Sequence, residues 1–269
     1  RRYLARNVVL PIPLPPPPPA QSRADARRRL GVSDDEVVLL SVGRPEKYRP
    51  SGKHDFVATA GELLSRERGS RLFVVGETAD GIAPHLRCPI PDRLHFVGRV
   101  EDPTPYRVAA DVYLESFPFG SQTALLEAAL AGLPVVPAYA PLFALLVAND
   151  DSVCDLLPNP ASEEEFLERA QSLIREPEAR RTFGARLRER VVATHVGPGW
   201  RERLEAVYGA IEKLAHSPGP IPRSACSTAD SDVGLSLWHV MAGEPRKGWR
   251  QAAPSARLLR HAVNVARIA

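Results

Sequence analysis

Residues 111–137 read DVYLESFPFGSQTALLEAALAGLPVVP, and this stretch decides the fold prediction. Residues 112–114 form a short apolar run that is typical of a buried strand. A loop with Phe117-Pro118-Phe119-Gly120 follows, and the apolar spacing over residues 121–130 predicts a helix. Residues 133–136 then begin another strand. Strand, turn, helix and strand in this order predict one parallel βαβ unit.

The turn of this unit is suited to binding a phosphate group. It lies at the carboxyl end of its strand, the edge where open parallel sheets bind ligands. Gly120-Ser121-Gln122-Thr123 places N–H groups and small hydroxyls at a helix N-terminus, where the helix dipole and the unpaired donors favour an anion. Ser and Thr also serve here as ordinary helix caps, so the pattern alone leaves both roles open.

Glu127 is the only charged residue between Ser121 and Val136. A carboxylate in an otherwise apolar helix is costly to bury unless hydrogen-bond donors reach it. The vicinal hydroxyls of a ribose would supply such donors, and so would a neighbouring arginine or solvent.

Strands and helices on both sides extend this unit into a larger sheet. Continuous apolar runs at residues 36–42, 71–75 and 94–97 are typical of strands buried on both faces of a parallel sheet. The alternation of strand and helix from about residue 36 to residue 155 predicts an α/β domain with a doubly wound parallel sheet. Helices are predicted at residues 23–30, 56–64, 105–110, 142–147, 163–174, 177–193 and 200–214, with a short extended piece near Val153.

Composition and charge narrow the class of protein. The chain has 269 residues, 44% hydrophobic and 25% charged, which is ordinary for a globular protein. Its net charge of +3 does not indicate a nucleic-acid partner. Cys88, Cys154 and Cys226 are scattered and lack metal-ligand spacing, which favours free thiols in the cytoplasm and no metal site. No apolar run approaches the roughly 20 residues that span a bilayer, and no signal peptide is visible.

Both ends of the chain differ from its centre. Residues 1–22 contain the prolines Pro15 to Pro19, which favour a stiff extended segment and predict a linker into a domain of residues 23–215. Residues 216–269 lack a clear hydrophobic period and predict a flexible tail. A basic helix over residues 257–268 would suit peripheral contact with a membrane or a partner. Because the sequence does not begin with Met, we expect a fragment of a longer protein.

Four segments carry a family resemblance: SVGRPEKY from Ser41, LHFVGRV from Leu94, AADVYLESFPFGSQTALLEAALAGLPVV from Ala109 and WRERLEAVYGAI from Trp200. Together they resemble the C-terminal, nucleotide-sugar-binding half of the GT-B glycosyltransferases, in the family 4-like group. The resemblance covers roughly residues 1–215 and implies a Rossmann-like domain. Family members commonly carry a second Glu where this chain has Phe119, which leaves open whether the reaction retains or inverts configuration.

The resemblance also implies roles for individual residues. Glu127 would bind the ribose hydroxyls, and Gly120-Ser121-Gln122-Thr123 would hold the diphosphate. Arg44 and Lys47 would neutralise the diphosphate from the facing loop as catalytic residues, with Lys53 as a substitute for either. Such enzymes are generally metal-independent, so these cations would stabilise the charge that develops on the leaving nucleoside diphosphate.

The function implied by the resemblance is transfer of a hexose from an NDP-sugar donor to an acceptor, without a cofactor. GT-B enzymes react in a cleft between two domains, and this chain has room for one of them. A separate N-terminal domain or chain would therefore bind the acceptor. The alternatives are a non-catalytic nucleotide-sugar-binding module, a sugar-nucleotide epimerase of GT-B architecture, and a binding domain for another phosphorylated ligand.

Overall fold

Five parallel strands form the central sheet in the described part of the chain. A computed structural model describes residues 10–17, 21–87, 89, 91–139 and 153–212. The strands occur in the spatial order β3-β2-β1-β4-β5, and each neighbouring pair is parallel. This order confirms the predicted doubly wound sheet. The strands are Val37–Val42 (β1), Ser70–Val75 (β2), Leu94–Gly98 (β3), Val112–Leu114 (β4) and Val135–Val136 (β5).

Helices cover both faces of this sheet. Side chains alternate along β1, so Leu39 packs against α2 and α6 on one face, whereas Val38 and Leu40 pack with α5 and α7 on the other. None of the described helices combines the length and the apolar composition needed to cross a membrane. The helices are Arg23–Arg29 (α1), Phe56–Arg66 (α2), Ala79–Ile82 (α3), Thr104–Ala109 (α4), Gln122–Leu130 (α5), Glu163–Arg175 (α6), Pro177–His195 (α7) and Gly197–Glu212 (α8), with short 3-10 turns at Pro45–Lys47 and Ala83–His85.

Most predicted elements lie within a few residues of the observed ones. The strand at residues 112–114 is confirmed, and the helix predicted from residue 121 begins at Gln122. The extended piece predicted near Val153 is wrong. Val153 begins a turn, and its carbonyl accepts the N–H groups of Leu156 and Leu157, each at 3.0 Å. The helices predicted at residues 142–147 and 257–268 and the tail of residues 216–269 lie outside the described residues.

Residues 10–17 lie along the junction of helices α7 and α8. The N–H of Leu14 donates to the carbonyl of His195 at 2.8 Å, and Leu14 forms a parallel β-bridge with Val196. His195 Nδ1 lies 2.8 Å from the carbonyl oxygen of Ile12, and the Trp200 indole donates to the carbonyl of Pro11 at 2.7 Å. The proline-rich segment is therefore attached to the domain along this length.

Candidate functional site

Two loops meet at the carboxyl edge of the sheet, where the strand order changes direction. Strand β1 has β2 on one side and β4 on the other, so the loops after β1 and β4 flank this switch point. In doubly wound sheets, the crevice at such a point is the usual ligand site. The loop after β1 is residues 43–48, and the loop after β4 is residues 115–121.

Lys47 joins the two loops. Its ammonium donates a hydrogen bond to the carbonyl of Gly120, just before helix α5. A Cβ atom added to Gly43 would lie 3.1 Å from Ser121 Oγ and 3.3 Å from Lys47 Cδ, so a larger residue at this position would press the loops apart. Burial lowers the pKa of Lys47, and the nearby carboxylate of Glu115 opposes that effect. A partly buried cation therefore lies at the N-terminal end of α5.

The first turn of helix α5 presents main-chain donors at the same place. Ser121 is the N-cap residue, but its side chain makes no capping hydrogen bond. Within the described residues, no acceptor pairs with the N–H groups of Gln122 and Thr123. Thr123 is exposed, and Gln122 is partly exposed. This end of the helix can therefore accept an anion, because both the dipole and the unpaired donors favour one.

Glu115 lies beneath this turn and was not among the site residues predicted from the sequence. Its side chain is 3% exposed, and Oε1 accepts the N–H groups of Ser121 at 2.7 Å and of Ser116 at 3.1 Å. Burial raises the pKa of Glu115 to about 7. The signal available in the sequence was an acidic residue directly after a buried strand, a position at the edge where ligands bind.

Glu127 has an arginine partner, one of the alternatives that its sequence context left open. Arg107 on helix α4 donates to Glu127 Oε2, and both side chains are partly buried. The position of Arg107 was also missed, because twenty residues separate it from its partner. The ribose role of Glu127 stays a prediction.

The other two predicted cations lie at the surface. Arg44 is exposed but close enough to Lys47 to lower the pKa of that ammonium further. Lys53 is exposed in a turn closed by pairing of Ser51 with His54. Among the described residues, no contact connects Lys53 with the two loops of the site. The structure thus brings Lys47, Gly120 and Ser121 together, with Arg44 nearby.

Comparison with known proteins finds a match to one family model. The model of the family described as Glycosyl transferases group 1 matches residues 36–176, a range that contains both loops of the site. The D-inositol 3-phosphate glycosyltransferase of Kribbella flavida is 29% identical over 203 residues, which are 70% of this chain and 46% of that protein.

Solved structures share the same fold. Sucrose-phosphate synthase from Thermosynechococcus elongatus matches with a TM-score of 0.51 and 23% identity over 75% of this chain and 49% of that one. HepE from Anabaena, solved in complex with UDP, matches with a TM-score of 0.52 and 19% identity over 70% of this chain and 52% of that one. This chain therefore spans about half the length of these relatives.

Proposed function

The chain belongs to the group 1 glycosyl transferases, which have the GT-B fold, and from this we propose that residues 23–215 bind a nucleoside diphosphate sugar at the switch point between β1 and β4. The observation that carries this proposal is the contact between the Lys47 ammonium and the N-terminal end of α5. A diphosphate bound there would meet one cation and several N–H donors together. Both are strong partners for phosphate oxygens.

The reaction is transfer of a hexose from this donor to an acceptor. As the glycosidic bond to the diphosphate breaks, negative charge grows on the leaving group, and preorganised donors stabilise it. Lys47 and Arg44 would supply positive charge there without a metal ion. HepE, a relative in fold, was solved with UDP, which makes UDP the first nucleotide to try.

The carboxylate of Glu127 would accept hydrogen bonds from the ribose hydroxyls. Arg107 bonds Oε2 of the carboxylate, and within the described residues no donor reaches Oε1. That oxygen would accept from a ribose hydroxyl. Because the chain spans about half the length of its relatives, the acceptor would be bound by a separate domain or chain.

Calorimetric titration of the full chain with UDP, GDP, ADP and dTDP tests this proposal. One of these should bind selectively, and Lys47→Met should weaken its binding by about tenfold or more, since a hydrogen bond to a charged group contributes about 1.5–3 kcal/mol. Arg68→Met is the matched control, because Arg68 is exposed and precedes β2 at the opposite, amino edge of the sheet. This control should change the affinity by less than about twofold.

Two results would overturn the proposal. The first is that none of the four nucleotides binds to the full chain. The second is that Lys47→Met and Arg68→Met have the same effect, which would mean that Lys47 does not contact the bound nucleotide.

A further inference from the structure

Glu115 places a carboxylate inside the proposed donor site. It follows strand β4 directly, and its Oε1 accepts the N–H of Ser121 at the start of helix α5. This donor is one of those that an incoming phosphate would otherwise use. A Cβ atom added to Gly120 would lie 3.5 Å from the carboxyl carbon of Glu115, so the loop lies closely over this group. Glu115 therefore places a carboxyl group at the end of the helix where the diphosphate is proposed to bind.

The second oxygen of Glu115 has no partner among the described residues. Oε2 is buried and makes no hydrogen bond there. Burial raises the pKa of the carboxyl to about 7, although the Ser121 N–H and the Lys47 ammonium act in the opposite direction. The group is therefore partly protonated near neutral pH, and a change in local charge changes its proton occupancy.

Among the described residues, three other titratable groups interact electrostatically with Glu115. The ammonium of Lys47, on the turn after β1, favours the charged form of Glu115. Tyr48 on the same turn and Tyr113 in β4 are buried phenols, and burial together with the Glu115 charge raises the pKa of each, so neither ionises near pH 7. Other charged residues act on these three groups in turn. Arg44 and Glu46 act on Lys47, Glu77 acts on Tyr48, and Arg107 acts on Tyr113.

On the basis of the proposed function, we infer that Glu115 is a positioning residue of the donor site. Glu115 orders the turn before α5, shares the Lys47 ammonium with the diphosphate, and takes up a proton as the nucleotide sugar binds. The diphosphate brings negative charge to the same helix end and competes for the same ammonium. A like charge close to a carboxylate favours its neutral form. The proton comes from solvent, and the protonated group no longer repels the diphosphate.

The ligand must have no titrating group of its own near pH 7, so that any proton taken up on binding can be assigned to the protein. The terminal phosphate of a free nucleoside diphosphate titrates at a pKa of about 6, which would obscure the measurement. Each phosphate of a nucleotide sugar has one ester bond and one anhydride bond, so neither has a proton that titrates near pH 7. The probes are therefore UDP-glucose, GDP-mannose, ADP-glucose and dTDP-glucose, each titrated into the full chain at pH 7, 7.5 and 8.

Proton uptake is measured by calorimetry in buffers with different enthalpies of ionisation. We expect the wild-type chain to take up about half a proton per nucleotide sugar, and its affinity to fall as the pH rises above 7, by up to about tenfold per pH unit. Glu115→Gln should abolish both effects. The matched control is Glu46→Gln, which removes an exposed carboxylate that also acts on Lys47 and should leave the uptake unchanged.

The outcomes separate this inference from the proposed function. If none of the sugars binds to the wild-type chain, both are overturned. If one binds but no proton is taken up, or if Glu115→Gln takes up as many protons as the wild type, only the role of Glu115 is overturned. Should Glu115→Gln fail to fold, the wild-type measurement still decides, because binding without uptake contradicts the inference.

Discussion

Arg107 on helix α4 donates a hydrogen bond to the carboxylate of Glu127 on helix α5. The arginine side chain is 14% exposed and the glutamate side chain 31%. The pair joins the helix that leads into β4 to the helix that follows it. Because the bond uses one carboxylate oxygen, it also fixes the direction of the other.

Arg107→Leu should weaken the preference of the chain for ribose over deoxyribose. Without its anchor, the partly exposed Glu127 side chain can turn to solvent, and the hydroxyl contact loses its preorganised acceptor. We expect the ratio of affinities for UDP and its 2′-deoxy form to fall by about threefold to tenfold, the size of one hydrogen bond. Competition titration of the two nucleotides measures this ratio.

Glu127→Gln is the companion variant, because it keeps the shape of the side chain and removes the charge. It should lower the same ratio. A rise in ribose preference after Arg107→Leu would show that the arginine competes with the ribose. No change in either variant would mean that Glu127 does not contact the ribose.

The frame of the sheet was predictable from the sequence because its signals are local. The strand at residues 112–114 and the apolar run now seen as β1 are short, continuous and bounded by turns. Gly120 and Ser121 were predicted as part of a site because they follow a strand and open a helix. Val153 was misread because an apolar residue at the edge of the core is buried equally well by a turn.

The site residues that were missed depend on contacts that are not local. Nothing in the residues around Arg107 indicates Glu127, and the two meet only because helices α4 and α5 lie on the same face of the sheet. Glu115 stands alone in its loop, and its burial is produced by Lys47 and the turn of Gly120 closing over it. A single sequence records neither contact.

The stability of the protein should depend on pH through Glu115. The folded carboxyl has a pKa of about 7 against an ordinary value of 4.5, so between these values the folded chain binds more protons than the unfolded chain. The free energy of unfolding therefore falls as the pH rises through this window. Since one pKa unit corresponds to about 1.4 kcal/mol, the contribution of Glu115 approaches about 3 kcal/mol.

Denaturant unfolding of the wild type and of Glu115→Gln at pH 4.5, 6 and 7.5 measures this effect. The difference between the two chains removes the contribution of every other titrating group. Relative to the wild type, Glu115→Gln should gain stability as the pH rises. A difference that stays constant with pH would show that the carboxyl titrates at its ordinary value when folded.

Gly76 allows the loop after β2 to approach the loop after β1, and Gly76→Ala should be severely destabilising. Gly76 has φ +111°, and an added Cβ atom would lie 1.8 Å from the carbonyl oxygen of Gly43. Backbone strain and overpacking together should lower the free energy of unfolding by about 3 kcal/mol. Chemical denaturation measures the loss.

Gly52→Ala is the matched control for this substitution. Gly52 has a positive φ of 59°, but an added Cβ would meet no atom within 4 Å. It should lose only the strain of the left-handed backbone, about 1 kcal/mol. Equal losses in the two variants would contradict the close approach of Gly76 to Gly43, on which the position of the Arg44 and Lys47 loop depends.

Leu14 tests whether the proline-rich segment is a structural part of the domain. The sequence predicted a linker there, yet Leu14 is 7% exposed and its N–H bonds the carbonyl of His195. Leu14→Ala should lower the free energy of unfolding by about 2 kcal/mol. This loss is at the low end of the range for a buried leucine, because Leu14 lies at the edge of the hydrophobic core. Val192→Ala on helix α7, at a position 40% exposed, is the control and should change stability by less than about 0.5 kcal/mol. If both variants unfold at the same denaturant concentration as the wild type, residues 10–17 leave the α7–α8 junction in solution and behave as the linker that their prolines predict.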